Sequence, residues 1–361
     1  MITRWPVVVV GAGVAGAFVA ARLAHFGVSV LLIDRDRFPR SKVCGACLSG
    51  RALAVLDRSG VPGMAGLPAR LGMVPLREFR LGAGGHEGTI PLGAGGALSR
   101  FALDSALMEI ARRTGATIWQ ETEALSAEKD EAGVSLMLSR KGESVTVRTS
   151  LLVIADGLGG RFSSPHLPET IATDSRVGAG CVLDSGSAGA YSGGVIHMAC
   201  GPGAYLGIVR QEDGSLDMAM AADKPEMARH GGPAGLAGAL LRSCRWPVPP
   251  AMAKARWRGT PPLTRYRAAG CPGMVVVGDA GGYVEPFTGE GMGWALEGGE
   301  RLSALVARSL ANGSLNSLHG RWAYFQKRAN GRRRIACRIL ARALRVPGTA
   351  IIAARCMGML P

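Results

Sequence analysis

The feature that most constrains this chain is a glycine-rich turn near its start, set between two apolar runs. Residues 6–10 form a short β-branched run of the kind that makes a parallel strand buried on both faces. The sequence Gly-Ala-Gly-Val-Ala-Gly of residues 11–16 follows, then a helical apolar pattern, and then a second strand-like run that ends at Asp34. Strand, G-x-G-x-x-G, helix, strand and acid in this order predict a βαβ unit that binds a dinucleotide.

Each position of this motif has a physical role. Gly11 permits the tight turn, Gly13 lets the backbone approach a pyrophosphate, and Gly16 lets the helix pack closely on the strand. The helix N-terminus offers free N–H groups to the phosphates, and Asp34 is expected to accept hydrogen bonds from a ribose. A signal peptide or membrane span is the alternative for the apolar stretch 7–24, but the interrupting glycines and the second strand favour strand plus helix.

Two later apolar runs also end in acids. Residues 151–155 lead into Asp156, and residues 274–277 lead into Gly278 and Asp279. A loop with the sequence Pro-Phe-Thr-Gly-Glu-Gly-Met, residues 286–292, then precedes a helical run. Backbone N–H groups at the start of that helix are suited to stabilising negative charge on a bound cofactor.

In this order, the motifs resemble the FAD-dependent family that joins aromatic hydroxylases of the p-hydroxybenzoate hydroxylase type, flavin halogenases and geranylgeranyl reductases. The resemblance extends over roughly residues 5–310 and implies FAD as the cofactor. It implies that Asp279 binds the ribityl chain and that Asp156 lies near the dinucleotide. The loop residues that it places against the isoalloxazine ring are Pro286, Gly289, Gly291 and Met292.

A short motif, Ser99-Arg100 with Asp104, adds a further match, and the resemblance implies that Arg100 reaches the FAD. A solvated helix-start arginine is the alternative. Just after Asp34 comes a basic run: Arg35, Arg37, Arg40 and Lys42. We expect it to contact the adenosine or pyrophosphate of FAD or to guide the phosphates of NAD(P)H, with a solvated turn as an equal alternative for most of its members. Because no second G-x-G-x-x-G follows residue 150, NAD(P)H is expected to bind transiently as the reductant.

Cys44-Gly45-Ala46-Cys47 forms a small-residue loop after Lys42. Lys-x-Cys-Gly resembles the geranylgeranyl reductase branch, in which this loop lies beside the flavin, so Cys44 and Gly45 are predicted to be near the cofactor. A structural zinc site would need a second C-x-x-C, which the sequence lacks, so we expect no metal. A redox-active dithiol remains an alternative.

The predicted fold is α/β: a Rossmann-type FAD-binding domain with a parallel sheet and helices, an inserted antiparallel β-sheet substrate domain, and C-terminal helices. We assign residues 1–70, 99–175 and 270–310 to the FAD domain and residues 71–98 and 176–269 to the substrate domain. Residues 311–361 form a basic helical segment. Strands are predicted over 178–183, 194–198, 204–210 and 216–221.

The predicted substrate strands carry mostly small apolar side chains, which favours a hydrophobic substrate. Geranylgeranyl reductases carry Tyr-x-Trp-x-Phe-Pro in one of these strands, whereas residues 205–210 here keep only Tyr205 of that motif. We therefore favour an NAD(P)H-dependent monooxygenase that hydroxylates a phenolic or polyketide-like compound. The alternative is a C=C reductase of a lipid or isoprenoid, with Cys44 or Tyr205 as proton donor. A halogenase, which would need a W-x-W-x-I-P element, and a flavoprotein without turnover are less favoured.

The net charge of +15 is concentrated at the end of the chain. Residues 301–361 contain twelve Lys and Arg and no acid, which leaves +3 for the rest. The pattern predicts a helix over 332–345 with arginines opposite an apolar stripe (Ile335, Ala336, Ile339, Leu340, Ala343 and Leu344), ended by Pro347. Such a helix suits an anionic membrane surface, or packs on the body with its arginines solvated. Nucleic acid is not an expected partner, because the basic segment lacks interleaved aromatics. Eight Cys without a secretory signal favour a cytoplasmic protein, with attachment to the inner face of the membrane as an option.

Overall fold

The structure, a computed structural model, describes residues 3–131, 133–160, 162, 164–187, 189–285, 287, 289–346 and 348–359. Its strands are β1 (Thr3–Val10), β2 (Val30–Ile33), β3 (Cys47–Ser49), β4 (Val74–Pro75), β5 (Glu78–Ala83), β6 (His86–Pro91), β7 (Gly95–Ala97), β8 (Thr117–Trp119), β9 (Thr122–Asp130), β10 (Gly133–Arg140), β11 (Glu143–Ile154), β12 (Glu169–Ile171), β13 (Val177–Leu183), β14 (Val195–Gly201), β15 (Ala204–Arg210), β16 (Leu216–Ala222), β17 (Arg258–Pro262), β18 (Arg265–Arg267), β19 (Gly270–Cys271), β20 (Met274–Val276) and β21 (Gly282–Tyr283). Its helices are α1 (Val14–His25), α2 (Gly50–Asp57), α3 (Leu67–Arg70), α4 (Arg100–Arg113), α5 (Lys224–Arg229), α6 (Pro233–Ser243), α7 (Gly291–Ala311), α8 (Leu318–Ala343) and α9 (Thr349–Gly358). Short 3-10 helices lie at Ser185–Ser187, Pro250–Lys254, Gly278–Gly281 and Leu315–Ser317.

A parallel sheet carries the glycine-rich turn. Strands β20, β11, β1, β2 and β8 lie side by side in that order and run parallel. Strand β10 pairs antiparallel with β11, and β9 pairs antiparallel with β10. The valines of β1 from Val7 to Val10 are buried, which is why this strand reads as a continuous apolar run. Helices α1, α4 and α7 pack on the sheet around a common apolar core, so the Rossmann-type arrangement is confirmed.

The second large sheet has the order β17-β13-β16-β15-β14-β5-β6. Its strands cover the four segments predicted from the sequence, and β15 spans the predicted residues 204–210. Neighbours are antiparallel except β14 and β5, which run parallel. The sheet is therefore mixed, because β5 and β6 come from an earlier insertion and do not join β14 through a hairpin.

The C-terminal helix is longer than the sequence pattern predicts. Helix α8 begins at Leu318 rather than near residue 332, because its first turns belong to the core of the parallel sheet. Trp322 is fully buried there, and its indole Nε1 donates a hydrogen bond of 2.8 Å to the carbonyl oxygen of Val276 in β20. Pro347, the predicted stop, lies outside the described residues.

None of the helices in the described part of the chain combines the length and the apolar composition needed to cross a bilayer.

Candidate active site

A cavity of about 790 Å³ lies between the parallel sheet and the second sheet. One end is lined by the glycine-rich turn and the acids that follow the parallel strands, and the other end is lined by apolar side chains of the second sheet. Its volume is in the range of cavities that hold cofactors and drug-sized ligands. Of the predicted site residues, the following line it: Gly11, Gly13, Asp34, Arg35, Lys42, Cys44, Gly45, Arg100, Asp156, Tyr205, Asp279, Gly289, Gly291 and Met292.

The glycines of the opening turn differ in what surrounds them. A Cβ added at Gly16 would lie 1.8 Å from the carbonyl oxygen of Gly11, so Gly16 is required for the close packing of α1 on β1. At Gly13 an added Cβ would meet no backbone; its nearest neighbours are guanidinium atoms of Arg100 at 3.4 Å and Arg40 at 3.6 Å. An oxygen of Asp104, which pairs with both arginines, lies 4.0 Å away. The space above Gly13 is thus bounded by two cations, one carboxylate and the N-terminus of α1, whose N–H groups suit an anion.

Asp34 follows β2, and backbone N–H groups close to it hold its carboxylate in place. Its carboxylate oxygens accept hydrogen bonds from the backbone N–H of Ala12 at 2.6 Å and of Asp36 at 2.9 Å. These bonds fix the carboxylate beside the cavity with lone pairs still free for a ligand hydroxyl. Arg35, just after β2, donates to the carbonyl oxygen of Gly159 at 3.1 Å. This bond links the segment after β2 to the segment after β11 at the polar end of the cavity.

Arg100 is anchored by a buried carboxylate one helical turn away. Its Nε and Nη2 donate to the two oxygens of Asp104 at 2.8 and 2.7 Å, and Asp104 is fully buried. This bidentate pair fixes the guanidinium plane at the cavity wall. Burial and the neighbouring charge of Arg100 lower the pKa of Lys42, which lies in the same region.

Asp156 follows β11 at the cavity wall. Burial raises its pKa to about 6, although Arg267 lies 3.8 Å from its carboxylate and opposes the shift. Asp279 lies on the short 3-10 helix after β20, and burial raises its pKa also, against the opposing charges of Lys42 and Arg100. Burial has removed water from both carboxyl groups, so a hydrogen bond from the hydroxyl or amide of a ligand in the cavity would replace the bonds to water that they have lost.

The cysteine loop and the loop before α7 lie against each other. The Cys47 thiol donates to the carbonyl oxygen of Gly45 at 2.9 Å, and a Cβ added at Gly289 would lie 3.4 Å from Cys47 Cβ. Both thiols are free, and within the described residues no group of three or more His, Cys, Asp or Glu is arranged to hold a metal. Helix α7 begins at Gly291, so its N-terminal N–H groups face the cavity beside Cys44.

The apolar end of the cavity is built from alternate residues of the second sheet. Tyr205, Gly207 and Val209 share one face of β15, and Ala219 and Ala221 share the same face of β16. Aromatic and aliphatic side chains complete the lining: Phe79, Ile90, Leu92, Ile196, Met198, Leu263, Phe287 and Leu340. The small residues of β15 and β16 leave the space that larger side chains would fill.

Two tyrosines stand where the polar and apolar ends meet. The Tyr205 ring packs edge-to-face on Phe287 with ring centres 5.1 Å apart, and Tyr283 lies in electrostatic range of Tyr205, Cys44 and Asp279. Burial raises the pKa of both phenols well above the ordinary value, so both keep their protons at neutral pH.

Two of the predicted residues are not among the described residues that line the cavity. Gly16 and Gly278 pack helix against strand; a Cβ at Gly278, where φ is +67°, would lie 2.9 Å from Ala15 Cβ. Pro286 lies outside the described residues. The sequence prediction missed Tyr283 and Leu340. Tyr283 stands in a glycine-rich stretch without periodicity, and its only signal is its position four residues after Asp279.

Comparisons with known proteins agree with this geometry. Residues 4–182 match the family model described as an FAD binding domain. The chain is 28% identical over 354 residues to menaquinone reductase from Mycolicibacterium smegmatis, covering 89% of this chain and 80% of the relative. It is 25% identical over 333 residues to digeranylgeranylglycerophospholipid reductase 1 from Methanothermobacter thermautotrophicus, covering 88% and 80%. A geranylgeranyl bacteriochlorophyll reductase-like protein from Thermoplasma acidophilum shares the fold, with a TM-score of 0.79 over 100% of this chain and 93% of that one, at 17% identity.

Proposed function

Because this chain belongs to the FAD-dependent oxidoreductases that include aromatic hydroxylases, flavin halogenases and geranylgeranyl reductases, we propose that it reduces a carbon–carbon double bond in an unsaturated, lipophilic substrate of the polyprenyl type. The observation that carries the proposal is that two tyrosines, Tyr205 and Tyr283, and the Cys44 thiol line the cavity that the polar and apolar ends share. Two of the relatives matched over most of the chain are named for the reduction of a menaquinone and of a digeranylgeranyl phospholipid.

The residues of the polar end fit an FAD molecule. The anion space above Gly13 suits the pyrophosphate, with Arg100 and Arg40 as its cations. Asp34 suits the adenosine ribose, and Asp279 suits the ribityl hydroxyls. The start of α7 at Gly291 suits the isoalloxazine end, where its N–H groups would stabilise the negative charge of the reduced ring.

Bound FAD, once reduced by two electrons from a transiently bound NAD(P)H, would supply a hydride to one carbon of the double bond. The chain must then deliver a proton to the other carbon, and Tyr205, Tyr283 and Cys44 are the groups placed to do so. The apolar residues around Ala219 and Ala221 would hold the hydrocarbon chain and keep water from the reduced cofactor. The donor would recover its proton from water after each turnover.

Hydroxylation is the second candidate. It is favoured by β15, which has Gly207, Val209 and Arg210 where geranylgeranyl reductases have Trp, Phe and Pro. Hydroxylation needs a dry, shaped cavity and no proton donor of this kind.

An anaerobic assay separates the two candidates. Reduced enzyme is mixed with menaquinone and related polyprenyl lipids without oxygen, and the products are analysed by mass spectrometry. We expect oxidised FAD to return together with a product that has gained two hydrogen atoms in its isoprenoid chain and keeps them after any quinol has been reoxidised in air. Reoxidation only in air, with oxygen added to an aromatic compound, would overturn the proposal in favour of hydroxylation.

The proton donors are tested by Cys44→Ser, Tyr205→Phe and Tyr283→Phe. We expect the variant that removes the true donor to slow substrate-dependent reoxidation by about 10²–10⁴-fold, while reduction of the FAD by NAD(P)H is unchanged. Tyr191→Phe is the matched control, because this buried tyrosine bonds to the carbonyl oxygen of Pro247 and does not line the cavity. Full rates in all three variants would show that none of these groups donates the proton.

A further inference from the structure

The second half of α8 turns both apolar and basic residues toward the body of the protein. Two of its arginines bond to that body: Arg334 donates to the carbonyl oxygen of Gly281 at 3.2 Å, and the exposed Arg338 donates to the Tyr266 hydroxyl at 2.6 Å. Beyond the helix end, Arg345 pairs with Asp174 at 3.1 Å. The predicted packing of the apolar stripe with solvated arginines is thus only half right, because these carboxylate, hydroxyl and carbonyl partners draw the arginines inward.

Part of the apolar stripe is left facing solvent. Ile335 is 58% exposed, Ile339 is 64% exposed, and Val346 just beyond the helix is 58% exposed. The exposed Arg332 and Arg342 occupy spacings that place them on the same face of α8 as Ile335 and Ile339. Val346 lies three residues beyond the end of α8. We call this set, Arg332, Ile335, Ile339, Arg342 and Val346, the C-terminal patch.

The opposite side of the same helix closes the cavity. Leu340, next to Ile339 in sequence, lines the apolar end of the cavity. Leu344 and, from α9, Ile351 pack against the cluster that contains Met198 and Tyr205. One helix thickness therefore separates the apolar compartment from the exposed isoleucines.

The charge and the exposed apolar residues around the C-terminal patch indicate which kind of partner it binds. Residues 301–361 contain twelve Lys and Arg and no Asp or Glu. Two further apolar side chains of this segment are exposed, Ile352 on α9 and Met359 just after it. Exposed apolar side chains flanked by cations, without any acid in the segment, complement a surface that is apolar inside and anionic at its boundary. A protein partner would leave the surplus positive charge without a counterpart unless it were strongly acidic.

We propose that the C-terminal patch docks this protein on an anionic lipid bilayer, with the cavity wall formed by Leu340 turned to the membrane. The isoleucines and Val346 would enter the boundary between headgroups and acyl chains, and Arg332 and Arg342 would pair with lipid phosphates. Docking would let a lipophilic substrate move between bilayer and cavity without crossing water. The proposal does not depend on whether the reaction is reduction or hydroxylation.

Vesicle flotation with the purified full chain tests the proposal. We expect binding to vesicles of phosphatidylcholine mixed with phosphatidylglycerol, and weaker binding to phosphatidylcholine alone or in high salt. Ile335→Gln and Ile339→Gln should each weaken binding by about tenfold or more, and Arg332→Gln and Arg342→Gln by about fivefold each. Met137→Gln and Arg51→Gln alter exposed residues on β10 and α2 and should leave binding unchanged.

The variants should keep the flavin absorption and thermal stability of the unchanged chain, since they alter exposed positions. Equal binding by all variants, or no binding to anionic vesicles, would overturn the proposal. If size-exclusion chromatography shows that the isoleucine variants dissociate a dimer while vesicle binding is absent, the patch serves a second copy of the chain and the membrane proposal is wrong.

Discussion

Gly13 and Gly16 are three residues apart and serve separate purposes, so substitutions at the two positions should behave differently. Gly13 has φ −72° and ψ −174°, a conformation open to alanine, and its Cβ would enter the anion space without touching backbone. We expect Gly13→Ala to weaken FAD binding by about tenfold or more while changing the apo-protein's free energy of unfolding by no more than about 0.5 kcal/mol. Gly16→Ala should both weaken FAD binding and lower the free energy of unfolding of the apo-protein.

Titration of FAD by fluorescence quenching and urea unfolding of the apo-protein check this prediction. Gly93→Ala is the control, since a Cβ there meets nothing within 4 Å. An unchanged FAD affinity in Gly13→Ala would show that the phosphates do not lie above this turn.

Asp217 is buried on β16, and one of its carboxylate oxygens has no hydrogen-bond partner among the described residues. Burial raises its pKa well above the ordinary value of a carboxyl group, so the folded protein holds this proton to a higher pH than the unfolded chain does. As the pH rises above about 4, the unfolded state loses the proton first, and stability falls until the pH passes the folded-state pKa. We expect Asp217→Asn to remove this loss, so that it is more stable than the unchanged chain near pH 7 and nearly equal to it near pH 4. Urea unfolding across this pH range measures it, with the exposed Asp184→Asn as control; parallel pH profiles would contradict it.

At the scale of elements, β15 and β16 leave space at the apolar end of the cavity, because Gly207, Ala219 and Ala221 are small. Ala219→Leu should extend into this space, lowering kcat/KM for a long-chain substrate by about tenfold or more while leaving FAD content and flavin reduction unchanged. Steady-state kinetics with substrates of different chain length measure this effect. Met218→Leu, on the opposite and buried face of the same strand, is the control. An unaffected kcat/KM in Ala219→Leu would place the substrate elsewhere.

The elements of the fold differed in how far sequence alone could predict them. The strands β1 and β15 and the helices α1 and α7 were predictable, since a buried strand, a glycine turn and a following helix each leave a local pattern. The course of α8 was not. It contains two glycines, Gly320 and Gly331, and its first turns are fixed by Trp322, which is held in the core. The side that α8 turns to the body was also not predictable, because it depends on acceptors such as Gly281 and Tyr266, which are distant in sequence.

The same distinction applies to the site. Residues in motifs, such as Asp34, Asp156 and Asp279, could be placed because each follows a parallel strand, and such strand ends meet at one edge of a sheet. Tyr283 and Leu340 could not be placed, since Tyr283 reaches the cavity through the pairing of β21 with β18 and Leu340 through the packing of α8. The reaction itself was predicted as hydroxylation from β15 alone. That prediction remains untested, and the placement of the proton donors is what moves our proposal to reduction.

At the scale of the whole molecule, the C-terminal segment is part of the fold of the parallel sheet. Trp322 is fully buried, stacks on Phe325 at 5.4 Å and bonds to Val276. We expect Trp322→Ala to lower the free energy of unfolding by about 3–5 kcal/mol and Trp322→Phe to lower it by less, because the phenyl ring keeps most of the packing. Urea unfolding measures both. A small effect of the alanine variant would mean that α8 is an independent appendage.

Helix α8 joins two distant parts of the molecule. Through Trp322 it contacts β20, two residues before Gly278, and through Leu340 it reaches the far end of the cavity. Because one helix packs against β20 and against the apolar end of the cavity, we predict that binding at the polar end and binding at the apolar end are coupled. Such coupling of binding free energies is reciprocal. A hydrocarbon chain held beneath Leu340 should therefore tighten FAD binding, and FAD should tighten retention of the hydrocarbon by the same factor.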